Sequence, residues 1–486
     1  MIRFLFSISI FFTFYTCFCQ TNTWTGATDS DWHKSCNWSL GTIPTCSHDV
    51  VIPNTANKPS VRGIAHCYTL ELWSSSGATL TVNSLGGAEL YVGQAGTCSG
   101  TPTNNGGCGP LCARILATGD AYSLISCSSG NAQSWGTDGV GELGDDAPLT
   151  GKTTPVSVAT ISSVKAVSAG GYEHGLAVKT DGTVWGWGEN SFGQVGDNTV
   201  TQRPTPVQVL AGASGCVTNL CSIREVGAGY IHSLALKTDG TLWSWGGNFQ
   251  GQIGDNTNNE RHTPVQVSGL TGVISFSANR EHSVAVKSDG TVWAWGGNGY
   301  GQLGDNTTAS KNFPVQVSGL TNVIDVSPGP DAYHSIAVKN DGTVWAWGRN
   351  SNGQLGDNTT TDRLIPVQVS GLTNIIAVST GGYFGGPNGH SLALKNDGTV
   401  WAWGYNNNGQ LGDNTTAEKH IPFQVAGLSG IVAVSAGGAT SMVLKNDGTI
   451  WMWGYNIFGQ LGDGTTVNKL TPVQVTSACA VSCGSW

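Results

Sequence analysis

Five histidines, His174, His232, His282, His334 and His390, stand at one repeated position in the chain. Regularly spaced imidazoles raise two chemistries, a metal centre and a proton relay. Both need the rings to converge, and equivalent positions in successive repeats lie far apart unless they line an axis. Tyr122 and Thr440 occupy the same position in two further copies and break the set. The sequence therefore reads these histidines as hydrogen-bonded structural groups. A second candidate is the Gly-Asp-Asn-Thr-Thr phrase, with Asp197, Asp255, Asp305, Asp357, Asp413 and Asp463 after a glycine. Calcium needs about six to eight oxygen ligands, and one aspartate per loop falls short of that. The aspartates are expected to close turns on the backbone instead.

Cysteine is the third candidate. Close pairs occur at Cys108/Cys112, Cys216/Cys221 and Cys479/Cys483. None is a Cys-x2-Cys pair with histidine at ligand spacing, which argues against zinc. Three small disulfide loops are expected, with Cys36, Cys46, Cys67 and Cys98 able to form two more bridges and Cys127 left over. No nucleophile, base and orienting group share a context, so no catalytic residue, metal or cofactor is assigned, and the chain is read as a non-enzyme.

Disulfides require an oxidising compartment, and the first residues fit one. Residues 1–19 carry one arginine, an apolar run, and Cys17 and Cys19 ahead of Gln20. That is the layout of a secretory signal, too short to span a membrane in the mature chain. The composition has 70 glycines, 18 tryptophans, 11% charged residues and a net charge of −9. A chain so poor in Lys and Arg does not wrap a phosphate backbone, so nucleic acid is not expected as a partner.

What positions these residues is a sentence written seven times. Its clearest copy is HSLALKNDGTVWAWGYNNNGQLG, from His390 to Gly412. The tryptophan of each Trp-Gly pair falls at Trp135, Trp187, Trp245, Trp295, Trp347, Trp403 and Trp453, at spacings of 50 to 58 residues. Such a period means a solenoid, propeller or array. Each unit holds four short strands, exemplified by VISFS (Val273–Ser277), HSVAVK (His282–Lys287), TVWAWG (Thr291–Gly296) and a PVQV strand. Asp289-Gly290 between the second and third strands predicts a type I′ hairpin. Two tryptophans on one strand face and small residues on the other suit sheets stacked face to face. Four-stranded sheets repeated seven times close radially, which predicts an all-β, seven-bladed β-propeller over residues 114–475.

The phrase GGYxHSLALKxDGTVWAWGxNxxGQLGDNTT…PVQVSGL resembles the regulator-of-chromosome-condensation repeat, in its bacterial secreted branch. The resemblance covers about three quarters of the chain. It implies a seven-bladed propeller with a face that grips a protein; members include an exchange factor for a nuclear GTPase, a plant light sensor and secreted β-lactamase inhibitors. The export signal, the acidic charge and the lack of a wedge-like insertion set this chain apart from the exchange factor. Residues 20–93 lie outside the repeat and resemble a small β-rich module of Bacteroidota surface proteins, on the phrases Asn-Trp-Ser and Val-x-Ile-Pro. Residues 94–113 read as a Gly/Cys-rich linker and 476–486 as a tail.

The variable positions point to binding. A loop of changing content follows each Trp-Gly, and Phe192, Phe249, Tyr300, Arg349, Tyr405, Tyr455 and Phe458 lie in these loops. Repeat loops fall on one face, often the binding face. A longer insertion adds Tyr383 and Phe384. An aromatic ring suits a protein hot spot or, with the intervening asparagines, a sugar platform. The sequence thus predicts a secreted or surface-displayed protein that binds a protein ligand through one propeller face, with glycan or cell-wall adhesion as the alternative and, behind it, an enzyme with an unrecognised channel site; guanine-nucleotide exchange is not expected.

Overall fold

The computed structural model describes residues 114–481, apart from 328, 383–385 and 387, together with the backbone of five strands before residue 94. Two compact units divide the chain, Met1–Gly109 and Pro110–Trp486. In the first, Ser7–Ile10 runs antiparallel to His48–Pro53, Gln20–Thr23 pairs with His48–Pro53 in parallel, and Thr69–Trp73 pairs with Glu89–Gly93 in parallel. Cys108, Cys112, Cys483, Tyr383 and Phe384 lie outside the described residues.

The second unit is a ring of seven four-stranded antiparallel sheets. The blades span 116–157, 164–208, 223–266, 273–316, 323–368, 375–424 and 431–474. Blade 4 shows the pattern: strand a, Val273–Ala278; b, His282–Lys287; c, Val292–Gly296; d, Lys311–Gln316. Strands a of adjacent blades touch one another around the axis, and strand d, half exposed, forms the rim. The PVQV strand therefore closes the blade whose Trp strand precedes it. Every d strand carries a proline, which removes a donor from the exposed edge and blocks further strand addition.

The b–c hairpin departs from the expected type I′ turn. Positive φ occurs at Gly290 (76°) and not at Asp289. Gly290 N donates to Lys287 O and Lys287 N to Thr291 O, which makes a three-residue loop with a glycine bulge. The cause is the residue after the glycine. Asp289 Oδ1 accepts from both Thr291 N (3.0 Å) and Thr291 Oγ1 (2.6 Å), so the aspartate closes an Asx turn and stays right-handed.

The core lies between blades. Trp347 of blade 5 is fully buried against Leu303 of blade 4 and against Val317 and Leu320, which follow that blade's last strand. Burying a large apolar side chain stabilises by about 1.5–3 kcal/mol, and a buried indole N–H must find an acceptor. Trp347 Nε1 donates to Gln302 O at 2.8 Å, and all seven Trp-Gly tryptophans repeat that bond to the blade before. The other tryptophan of strand c is held differently. Trp345 is half-buried, donates to Thr343 Oγ1 (3.3 Å) and lies 5.6 Å under Lys339 Nζ.

Each blade is one continuous stretch, so no strand is shared between the first and the last. Closure rests on side chains and loops. Trp135 Nε1 and Ser123 Oγ donate to Gln460 O, each at 2.9 Å, and Gly438 N donates to Gly119 O. A disulfide joins Cys127 to Cys479. This corrects two expectations, Cys127 as the leftover thiol and a Cys479/Cys483 pair. The b–c hairpin of blade 1 and the segment after the last strand meet at ring closure, where Ser128 N donates to Ala480 O, and proximity in space overrides proximity in sequence. Cys216 and Cys221 pair as expected. Among the described residues no helix is long and apolar enough to cross a membrane.

Candidate functional site: an aromatic propeller face

Antiparallel register sorts the loops onto two faces. His174 opens strand b of blade 2 opposite Gly188, the last residue of strand c. The a–b loop and the c–d loop therefore emerge at the same end, and the Asp-Gly hairpins at the other. The variable c–d loops share their face with the a–b loops that ring the axis.

The histidines belong to the frame. All five are fully buried. His282 Nε2 meets Ser335 Oγ of the next blade at 2.8 Å, and Ser335 Oγ donates to Gln302 O at 2.9 Å, the carbonyl that Trp347 also uses. The same ladder holds His174, His232, His334 and His390 to Ser233, Ser283, Ser391 and Ser441. Burial pushes their pKa values down to about 3, or about 4 for His390, so they stay neutral at ordinary pH. In blade 1 Tyr122 does the same work: its hydroxyl donates to His174 O (2.5 Å) and accepts from Gly170 N (3.1 Å). Among the described residues no group of His, Cys, Asp or Glu could hold a metal ion.

The repeated polar residues of the c–d loop are also structural. Asn298 is fully buried; its Oδ1 accepts from Leu303 N (3.0 Å), and its Nδ2 donates to Thr307 O (3.0 Å) and Ala309 O (3.1 Å). Asp305 Oδ1 accepts from Thr307 N (3.0 Å) and Oγ1 (2.7 Å). Gln302 Oε1 accepts from Tyr300 N at 2.9 Å. One asparagine, one aspartate and one glutamine thus lock the c–d loop in each of blades 2 to 7. Blade 1 differs, with Glu142 in the glutamine position. Its carboxylate accepts from Gly139 N (3.1 Å) and Val140 N (2.9 Å), and burial, with Glu173 nearby, lifts its pKa to about 7.

On that scaffold the aromatics form a continuous arc over blades 2 to 5. Phe249 meets Phe192 edge-on at 5.4 Å; Phe192 lies 6.3 Å from Tyr172, and Tyr172 5.2 Å from Tyr230. The Arg280 guanidinium sits 4.2 Å over Tyr230 and 5.2 Å over Tyr333. Tyr333 meets Tyr300 at 5.3 Å, and Arg349 covers Tyr300 at 4.2 Å. Phe192, Phe249, Tyr300 and Arg349 therefore come together. Arg349 ends the arc, and Arg280 stands near its middle. Tyr405 is buried, 8% exposed, and offers the face little. Tyr455 and Phe458 make a separate pair at 6.2 Å in blade 7. Sequence reasoning missed Tyr172, Tyr230, Arg280 and Tyr333. Their signal is the variable position one or two residues before each strand-b histidine.

Around the axis the a–b loops of neighbouring blades bond to one another. Gly171 N donates to Gly229 O, Tyr172 N to Tyr230 O, and Gly438 N to Gly119 O, a belt of backbone bonds between blades. Below it an axial cavity lined by Arg114, Thr118, Val167, Ser168, Pro330 and Ser435 has a volume of about 20 Å³, room for little more than a water. Arg114 crosses from blade 1, donating to Phe276 O at 2.7 Å and pairing with Glu225 at 3.6 Å.

A closed ring with a narrow axis and one aromatic face defines a repeat scaffold that presents a surface rather than a cleft. Residues 93–387 match the RCC1-like domain, and 397–444 and 447–486 match the regulator of chromosome condensation (RCC1) repeat. The chain belongs to the RCC1-like domain family. Residues 23–99 match a domain of unknown function, DUF8693. Curated relatives include the probable E3 ubiquitin-protein ligase HERC6 of Homo sapiens, 34% identical over 65% of this chain and 26% of that protein. The ultraviolet-B receptor UVR8 of Arabidopsis thaliana is 30% identical over 65% of this chain and 58% of that protein. The chain thus spans less than two thirds of these relatives. Among solved structures, human WBSCR16 aligns with a TM-score of 0.60 at 23% identity, covering 71% of this chain and 94% of that one. Prp20p of Saccharomyces cerevisiae, described with its binding to Gsp1p and histones, aligns with a TM-score of 0.60 at 20% identity, covering 77% and 88%. These likenesses show the fold.

Proposed function

We propose that the protein is a secreted or surface-displayed binding protein of the bacterial branch of this family, and that it grips a protein partner through the arc from Phe249 to Arg349. The observation that carries this reading is the arc itself: stacked aromatics and two arginines held on loops whose polar residues are spent on fixing the loop. Aromatic and arginine side chains dominate binding hot spots, and loops already ordered lose little entropy on binding. The Cys127–Cys479 and Cys216–Cys221 disulfides and the leader-like residues 1–19 support export. A sugar platform would call on asparagines beside the aromatics, yet Asn190, Asn248 and Asn298 are fully buried and bonded within their loops. Immobilised full-length protein, exposed to surface extracts before and after exhaustive protease digestion, tests the reading. Capture lost on digestion supports a protein ligand; capture that survives digestion overturns it in favour of a glycan.

A further inference from the structure

In six blades the c–d loop is built around the amide of one asparagine, and blade 1 has an aspartate in that place. In blade 2, Asn190 Oδ1 accepts from Val195 N (2.9 Å), while its Nδ2 donates to Asp197 Oδ1 (3.2 Å) and to the carbonyls of Thr199 (3.1 Å) and Thr201 (3.0 Å). Asn248, Asn298, Asn350, Asn406 and Asn456 donate to the carbonyls at the same two chain offsets. The amide nitrogen thus sits in a cage of oxygen acceptors, which only a donor satisfies.

Blade 1 keeps the cage and changes its occupant. Asp138 is 1% exposed, and its Oδ1 accepts from Leu143 N at 3.2 Å, the bond that Asn190 Oδ1 makes five residues ahead. The turn that follows is also kept. Asp145 Oδ1 accepts from Ala147 N at 3.1 Å, as Asp197 Oδ1 does from Thr199 N, and Asp146 (φ 55°) shares the left-handed backbone of Asn198 (62°). With Oδ1 so anchored, Asp138 Oδ2 takes the place of the amide nitrogen, and no described residue donates to it. The carbonyls of Ala147 and Leu149 stand at the offsets of Thr199 and Thr201 and can only accept. A bare carboxylate there is desolvated and faced by acceptors. The charged groups around it are Glu142 and Asp145 of the same loop and Lys152 of strand d; from blade 2, Glu173 faces Glu142. Lys152 is turned aside: its Nζ donates to Thr150 O (2.7 Å) and Thr150 Oγ1 (3.0 Å) and stands 3.8 Å from Asp145, where in blade 2 Arg203 bonds Asp197 directly.

We propose that the c–d loop of blade 1 is fastened by a proton on Asp138 Oδ2, which makes that oxygen the donor the cage requires, and that loss of the proton loosens this loop. The other six loops carry an amide, which does not titrate, so one loop of the seven answers to acidity. Burial lifts the Asp138 pKa to about 6, opposed by the bond from Leu143 N and by Lys152 and assisted by Glu142 and Asp145. The proton is therefore present in weakly acidic solution and gone at neutral pH. In the opened loop Asp138 returns to its ordinary 3.8, so the hold on the loop declines as pH rises from that value through 6 and is level above it. The effect reaches the next blade, because Glu142 O of the same loop accepts from Trp187 Nε1 of blade 2 at 2.9 Å.

Hydrogen exchange read by mass spectrometry on the full-length protein tests this, because it reports the opening of each loop separately. The same stretch of blades 2 to 7 serves as the internal control. Glu142 titrates in the same loop, so the decisive background is Glu142→Gln. There, protection over residues 138–149, corrected for the intrinsic exchange rate, is expected to fall about tenfold between about pH 5 and about pH 7. Residues 190–201 and 298–309 should hold theirs. Wild type should show a larger fall, both acids contributing. Adding Asp138→Asn, which installs the residue of the other six blades, should keep the blade 1 loop protected at both pH values. A Glu142→Gln protein whose blade 1 loop shows no fall, or a double variant that retains it, would overturn the proposal. So would protection restored at the higher pH by excess calcium chloride, since a cation and not a proton would then fill the cage. The fall in the single variant is read without Asp138→Asn, so a double variant that folds poorly leaves the test standing.

Discussion

Single residues carry the joints of this ring, and their chemistry can be tested one at a time. Trp347→Phe removes a buried N–H that bonds Gln302 O and leaves space between blades 4 and 5. Loss of that bond and the packing defect should destabilise by about 2–4 kcal/mol, read as a lower midpoint in urea. Glu142 offers the opposite sign. Its folded pKa of about 7 lies above the ordinary 4.5, so the native state holds a proton that the unfolded chain gives up. Stability is lost as pH rises from the lower value to the higher and is level above it. Glu142→Gln, which installs the residue found at Gln194, Gln252, Gln302, Gln354, Gln410 and Gln460, should abolish that decline. Urea melts at pH values on either side of the window would show the variant gaining on the wild type as pH rises.

Elements come next, because the ring is closed by contacts between blades that share no strand. Cys127–Cys479 spans 352 residues and Cys216–Cys221 spans 5. Replacing the first pair by alanine should cost about 2–5 kcal/mol, and the second much less, since a long closed loop restrains the unfolded chain more. Thermal melts of the two double variants compare them directly. The difference also shows where sequence reading stopped. Strand, hairpin and blade were legible because Trp-Gly, Asp-Gly and PVQV recur with local geometry attached. The Cys127–Cys479 pairing was not, because it depends on where blade 7 meets blade 1. Likewise Phe192 and Phe249 announced themselves as variable loop residues. Tyr230, Arg280 and Tyr333 stand beside the strand-b histidine in sequence, and only the ring brings them edge to edge. The type I′ expectation failed for a local reason, the grip of Asp289 on Thr291.

At the scale of the molecule, opposing sets of buried groups shape the response to acid. Five histidines keep pKa values of about 3 to 4 in the fold against an ordinary 6.5, so the unfolded chain takes up protons first and their contribution is lost as pH falls through that range. Glu142 and Asp331, at about 7, and Asp138 and Asp325, at about 6, act in the other direction above the ordinary carboxylate range. The two sets largely offset one another near pH 6. Below about pH 5 the unfolded carboxylates protonate too, the compensation fades, and the histidines prevail. Acid titration followed by tryptophan fluorescence should show a cooperative loss of structure in that lower range and little change above it. The central claim is that the arc face, and not the hairpin face, grips a protein. Its most direct test is capture of partner by two sets of full-length variants with matched melting temperatures: Tyr172→Ala, Tyr230→Ala and Phe249→Ala on the arc, and Lys237→Ala, Lys287→Ala and Lys339→Ala beside the hairpins. Capture abolished by the first set and retained by the second is the predicted result; the reverse would contradict the account.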